Sequence, residues 1–352
     1  GVALAALHLL KAGITCVVDP GTLFDTEGAA AALRAVGLRG VLAAPYVWDA
    51  GAPLPGLVSG ALHRRVPASL DRCRALLVAP VPGTGGQIAT HIAVYGEHTA
   101  SDTLWREAAA VARDKGLTLS AHLMFDPRLS AAFKEARGCS VVAHLDALGV
   151  LGANVTLTHL NNLDDRDLEI LQNRQTRAIW CPANARLAEA HGGMNRLSEF
   201  AERGGVVGVA MDMPHDHAIG EIGTVARLSA GAAGPSSRTL FGMMTREAAR
   251  TINDGTIGGD VLGLLEVGAA ADIVVRWPDG PERMPSLDLF AELTTLARPS
   301  GVRTVLIAGD IVLAEGVATR VDEARLTRRG REASQALFQR IGYGGVGPAA
   351  VA

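Results

Sequence analysis

The sequence predicts a TIM-like (β/α)8 barrel, lacking its first strand, with a small C-terminal β-sandwich appendage. Three observations lead there. From the start to about residue 250, apolar β-branched runs alternate with polar turns and helical stretches, the pattern of a parallel sheet wrapped by helices. A chain of 352 residues fits one barrel of ~250 residues and an appendage better than two equal domains. Beyond that point the texture changes to short apolar runs separated by glycine, which suits antiparallel strands.

The elements follow in order. GVALAALHLLKAG (1–13) reads as the interior of an apolar-striped helix with no capping residue ahead of it, so the chain is expected to start inside the fold, after a strand. Strands are expected at 14–19, 39–47, 89–96, 117–123, 154–160, 177–182 and 206–212, which makes seven where a closed barrel has eight. The helices between them carry their own end signals, such as Ser101 and Asp102 ahead of one and a glycine after TEGAAAALRAV. The stretch after 117–123 is irregular, and DDRDLEILQNR supplies an acidic helix start with Leu168 and Leu171 on one face. The resulting division is an N-terminally truncated barrel over 1–255, a β-sandwich remnant over 256–321, and a C-terminal helix and tail over 322–352.

Bulk properties narrow the function. A net charge of -3 offers no basic field for nucleic acid, and no run of eighteen apolar residues is present to span a bilayer. Cys16, Cys73, Cys139 and Cys181 lie far apart, without a CxxC pair, and read as reduced thiols of a cytoplasmic protein. The expectation is an enzyme acting on a small-molecule substrate, with neither nucleic acid nor membrane as partner.

In a β/α barrel, side chains at the C-terminal ends of strands face the open mouth. Three expected strands end in polar groups there: His122, His159 and Asp212. Each interrupts an apolar run, where a buried polar group without a partner costs roughly 1–3 kcal/mol. Two imidazoles and a carboxylate at one mouth suit a divalent metal, zinc first and ferrous iron as the alternative. Such a metal lowers the pKa of bound water towards ~7. His91, inside its strand, reads as a core histidine.

LTHLNNLDDRDLEILQNRQTRAIWCPANARLA and VGVAMD resemble the histidine, Cys-Pro-x-Asn and final aspartate strands of the amidohydrolase superfamily. GLLEVGAAADIVV and VRTVLIAGDIVLAEG resemble the segments by which that family returns to its β-sandwich. Within it the chain is most similar to the cytosine deaminase and chlorohydrolase-like group. The resemblance implies a metal-dependent hydrolase that cleaves a non-peptide C–N bond of a small N-heterocycle, using one divalent metal. It implies that His122 and Asp212 ligate the metal, that His159 touches the metal or hydrogen-bonds the attacking water, and that Asp212 takes that water's proton. It also suggests a homo-oligomer.

Two departures stand out. The family's His-x-His strand has no counterpart, which fits the expected missing first strand; it would leave the ion weakly held, so these 352 residues alone are expected to be inactive. Where deaminase-like members read His-x-x-Glu, this chain has His122 followed by Phe125, with Asp126 one residue further on. Asp126, His98, His215 and Asn184 are the remaining candidates for substrate contact. The alternative reading is a degenerate barrel that binds a small ligand without metal.

Overall fold

Seven parallel strands form the frame of the protein in the computed structural model. It describes residues 1–21, 23, 25–49, 69–79, 81, 83–182, 196–212, 226, 234–277, 284, 287–296 and 298–342. The strands are β1 (Cys16–Val18), β2 (Arg39–Val47), β3 (Ile88–Gly96), β4 (Leu119–Leu123), β5 (Val155–His159), β6 (Arg177–Trp180) and β7 (Val207–Val209), each hydrogen-bonded to the next in chain order. All seven lie where the alternation of apolar runs places them, and the sheet curls as the wall of a TIM-like barrel.

Helix α1 (Val2–Lys11) precedes β1, and α2 (Thr26–Val36) and α3 (Leu70–Val78) flank β2. Helix α4 (Asp102–Asp114) leads into β4, α5 (Pro127–Arg137) and α6 (Val141–Ala147) into β5, α7 (Asp165–Asn173) into β6, and α8 (Leu197–Glu202) into β7. Their ends obey capping chemistry. Asp25 accepts the N–H of Gly28 at 2.9 Å and Gly37 closes α2 in the left-handed conformation. Asp164 and Asp167 form a reciprocal capping box on α7.

Period-two alternation decides what each strand shows to the helices and what it shows to the barrel interior. On β4, Leu119, Ala121 and Leu123 join the outer core with Trp105 of α4 and Val142 and Leu145 of α6. Ser120 and His122 therefore face inward. On β3, Ile92 and Val94 are outward, so His91 and Ala93 are inward, and the register with β4 shifts after Val94.

After α9 (Ser237–Met244) and α10 (Arg246–Arg250), Asn253 closes the barrel floor. Its amide donates to the carbonyl of Thr90 at 3.1 Å and accepts the N–H of Thr118 at 3.0 Å. A two-stranded ribbon, β8 (Thr256–Ile257) and β9 (Asp260–Val261), comes next. The appendage takes the form of a four-stranded antiparallel sheet, β10 (Ile273–Arg276), β11 (Val302–Ile307), β12 (Asp310–Ala314) and β13 (Val317–Ala318). Its apolar face shares a core with α1 and α2 through Val305, Ile307, Val312, Leu7, Leu10 and Leu33. The exposed helix α11 (Glu323–Ile341) follows.

Arg39 ties the two sheets together. Its side chain is fully buried at the start of β2, and its guanidinium donates to Asp272 through Nε at 2.9 Å and through Nη2 at 3.1 Å. Nη2 also reaches Asp260 at 2.7 Å. Removing one partner of a buried ion pair strands the other charge, which costs about 3–5 kcal/mol. Asp272→Ala is expected to lower unfolding stability by that amount in urea titration, whereas Asp310→Ala, which breaks the exposed Arg320 pair, is expected to cost about 1 kcal/mol or less.

Candidate active site

Strands β4 and β5 bring His122 and His159 together at the C-terminal mouth. Nδ1 of His122 lies 3.2 Å from Nε2 of His159, with ring centroids 5.2 Å apart. Simple alternation would not produce this pair. His159 is in register with Leu123, which points outward, so parity alone would turn its ring to the helices. A left-handed backbone at His159, with φ of 79°, turns the imidazole back toward His122.

That conformation is not isolated. Met124, Leu160 and Asp212 also have positive φ, of 55°, 50° and 60°. Non-glycine residues held there cost on the order of 1–3 kcal/mol each, and such strain gathers at functional sites. Here it marks the exits of β4, β5 and β7, the three strands that carry the candidate residues.

Both imidazoles are neutral at pH 7. Burial pushes the pKa of His122 down, while Asp212, the Pro20 carbonyl and Asp19 act against that shift. Burial pushes His159 well below its ordinary value, with the neighbouring His122 adding to the effect. Neutral imidazole is the state that ligates a metal.

One further observation tests whether these residues fit a divalent cation. The 3.2 Å separation of the facing nitrogens is close to the edge of a tetrahedron with metal–nitrogen bonds of ~2.0–2.1 Å, which is ~3.3 Å. The imidazole pair fits. Asp212 is near enough to act on His122 electrostatically, yet among the described residues no three His, Cys, Asp or Glu side chains close around a common point.

The other candidates fall in different places. Asp126 accepts the N–H of Arg128 at 2.9 Å as the N-cap of α5 and ion-pairs with the Arg128 guanidinium. His98 stacks edge-on against Phe133 of α5, with centroids 6.0 Å apart. His215 and Asn184 lie outside the described residues. Phe125, in the position where the resemblance implies a glutamate, sets its ring edge against His159 at 5.0 Å.

His91 is a satisfied interior histidine. Its Nε2 lies 2.8 Å from the Asp19 carbonyl, which can only accept, so Nε2 carries the proton and Nδ1 accepts from the Ser120 hydroxyl at 2.8 Å. This bridge fixes the exit of β1, where Asp19 is buried. The rule that found His122, a polar residue ending an apolar run, also applies to Asp19 in ITCVVD. Asp19 acts electrostatically on His122.

Glu97, just beyond β3, accepts the Met124 N–H on Oε1 at 3.0 Å and so braces the left-handed exit of β4. Burial raises its carboxyl above the ordinary 4.5, against the lowering effect of its backbone hydrogen bonds and of His98. A carboxyl raised in the fold makes the native state hold an extra proton between the unfolded and folded values. Its stabilising balance is therefore complete below the unfolded value and is lost as pH rises through the folded one. Glu97→Gln is expected to match the parent in urea near about pH 4 and to be the more stable protein near about pH 7. A difference independent of pH would contradict this.

No helix among the described residues is long and apolar enough to cross a membrane. Comparison with known proteins gives a consistent result. The profile of the Amidohydrolase family matches residues 1–312. A 5'-deoxyadenosine deaminase of Methanopyrus kandleri is 26% identical over 345 residues, covering 96% of this chain and 75% of that protein. A 5-methylthioadenosine/S-adenosylhomocysteine deaminase of Symbiobacterium thermophilum is 28% identical over 353 residues, covering 96% and 76%. Among solved structures, a zinc-bound adenosine deaminase from Xanthomonas campestris superposes with a TM-score of 0.77 at 21% identity, covering 96% of this chain and 75% of that one. The atrazine chlorohydrolase of Arthrobacter aurescens, in complex with zinc, gives 0.73 at 20%, covering 93% and 75%, and these two show the fold. With the match running from the first residue into β12, the chain belongs to the amidohydrolase family, as a hydrolase of carbon–nitrogen bonds other than peptide bonds.

Proposed function

We propose that this protein hydrolytically deaminates an aminated purine nucleoside, with one divalent cation, zinc, held by His122 and His159 and approached by Asp212. The observation that carries the reading is the pair of neutral imidazoles, His159 buried and His122 half-buried, whose facing nitrogens are 3.2 Å apart at the barrel mouth. The activities named for the relatives, on 5'-deoxyadenosine and on methylthioadenosine, support the substrate class.

Zinc, when bound, supplies a Lewis acid that acidifies water at neutral pH. Asp212 accepts the proton of the attacking water and delivers it to the departing amine, so that the carbon–oxygen bond forms, the carbon–nitrogen bond breaks and ammonia leaves. His159 steadies the charge that develops on the purine. Phe125 closes over the imidazole edge and keeps water from that side.

Phe125 also favours a second reading, hydrolysis of a cyclic amide, in which no ring nitrogen needs a proton from a residue in that position. Ammonia release separates the two. Protein saturated with excess zinc, which offsets the weak hold of a two-imidazole site by mass action, is expected to release one ammonia per 5'-deoxyadenosine or adenosine consumed. Failure on every aminated purine, together with opening of a lactam ring, would overturn the deaminase reading.

A further inference from the structure

An aromatic cluster beside the imidazoles plays no part in the mechanism described above. Tyr46 and Trp48 leave the end of β2 and Tyr95 the end of β3, with ring centroids 5.4 Å apart for Tyr46–Trp48, 5.5 Å for Trp48–Tyr95 and 5.8 Å for Tyr46–Tyr95. Tyr46 is in register with Ala93, which shares the parity of His91 and pairs with the inward Ser120, so Tyr46 is on the inner face. Tyr95 falls where the register shifts between Val94 and Gly96, and its ring contacts with Tyr46 and Trp48 place it beside them. Trp48 is buried behind them, while the two tyrosines are only half-buried.

The wall lies against the site. The chain at Gly21, just past Asp19, runs so close under Tyr46 that a Cβ there would come within 2.6 Å of the ring. Asp19 acts on the Tyr46 phenol and also on His122, which puts all three in one neighbourhood. Burial is the main reason the Tyr46 phenol is pushed far above its ordinary value, and burial raises Tyr95 as well. Both hydroxyls therefore stay protonated and able to donate. Among the described residues neither phenolic oxygen has a hydrogen-bond partner.

Two protonated, partnerless donors on an aromatic wall at a catalytic mouth call for a flat ligand with acceptor nitrogens. We infer that Tyr46 and Tyr95 are the ring-binding residues of the site: they meet the edge of the purine base and donate hydrogen bonds to its ring nitrogens, which selects a purine over a non-aromatic amide. This rests on the deaminase reading for the identity of the ring, and on the geometry of the two strands for its place.

The experiment compares the parent with Tyr46→Phe, Tyr95→Phe and the double variant, changes that keep the rings and remove only the hydroxyls. Two quantities are read: steady-state constants for adenosine with zinc-loaded protein, and the dissociation constant of inosine, the deaminated product, by calorimetric titration. Each single change is expected to raise KM and the inosine dissociation constant about 3–10-fold, and the double change about 10–100-fold, with kcat within about threefold and zinc content unchanged. Unchanged KM and inosine affinity in the double variant would overturn the inference while deamination stands. So would a collapse of kcat or zinc content with KM unmoved, which would assign the tyrosines to the metal site. If the parent releases no ammonia from any purine but binds inosine, and the double variant binds it at least tenfold more weakly, the deaminase reading falls and the ring-binding wall remains.

Discussion

Replacing His122 by alanine is expected to lower kcat/KM for an aminated purine nucleoside by about a thousandfold or more and to empty the site of zinc, since a metal's electrostatic contribution amounts to several kcal/mol. The reasoning starts from β4. Alternation makes His122 the inward residue at the end of an otherwise apolar strand, and burial keeps its imidazole neutral, so that at pH 7 a cation meets no competing proton. Alanine removes one of the two nitrogens that face each other at 3.2 Å, and His159 alone cannot hold the ion. The fold is expected to survive, because the outward residues of β4, Leu119, Ala121 and Leu123, carry its packing. Metal analysis of the purified variant beside a thermal melt checks both halves. Zinc retained in full with activity intact would remove His122 from the centre of the account.

Asp212→Asn is the second large effect. The amide keeps the size of the carboxylate and loses its basicity, so kcat is expected to fall by about 10²–10⁴-fold, the range for losing a positioned acid–base group, with KM changed far less. Zinc binding is expected to weaken without vanishing, because the imidazole pair remains. A fall in affinity for the nucleoside with kcat preserved would assign Asp212 to substrate binding and leave the proton transfer without a base.

The parts of this protein that were legible in the sequence share a cause: they are set by local periodicity. The seven parallel strands stand out as β-branched runs, and the appendage as shorter runs broken by glycine, because burial on both faces or on one leaves that signature. His122 was legible by the same logic, as a polar residue where the pattern calls for an apolar one. Asp19 obeys that rule too, and its run ITCVVD contains the signal. Helix α5 falls in the stretch whose sequence reads as irregular, although Asp126 followed by Pro127 is a strong start and Gly138 a strong stop. Its apolar face is thin, with Phe133 as its one buried residue.

What stayed illegible is what depends on the backbone leaving its regular path. His159 reaches His122 through a left-handed turn that parity argues against. Asp126 looks in sequence like a displaced acid beside Phe125, yet the helix that starts there claims its carboxylate as a cap. Tyr46 and Tyr95 lie 49 positions apart, with nothing between them to announce that they meet. Their contact follows from the pairing of β2 with β3, and pairing is a property of the sheet and not of either strand.

Anomalous diffraction at the zinc edge, from crystals of the zinc-loaded protein, bears most directly on the central claim. The account predicts a single strong peak within bonding distance of a ring nitrogen of His122 and of His159, on the side facing Asp212. A fully loaded crystal whose zinc sits elsewhere, with both imidazoles bonded only to each other or to water, would contradict it.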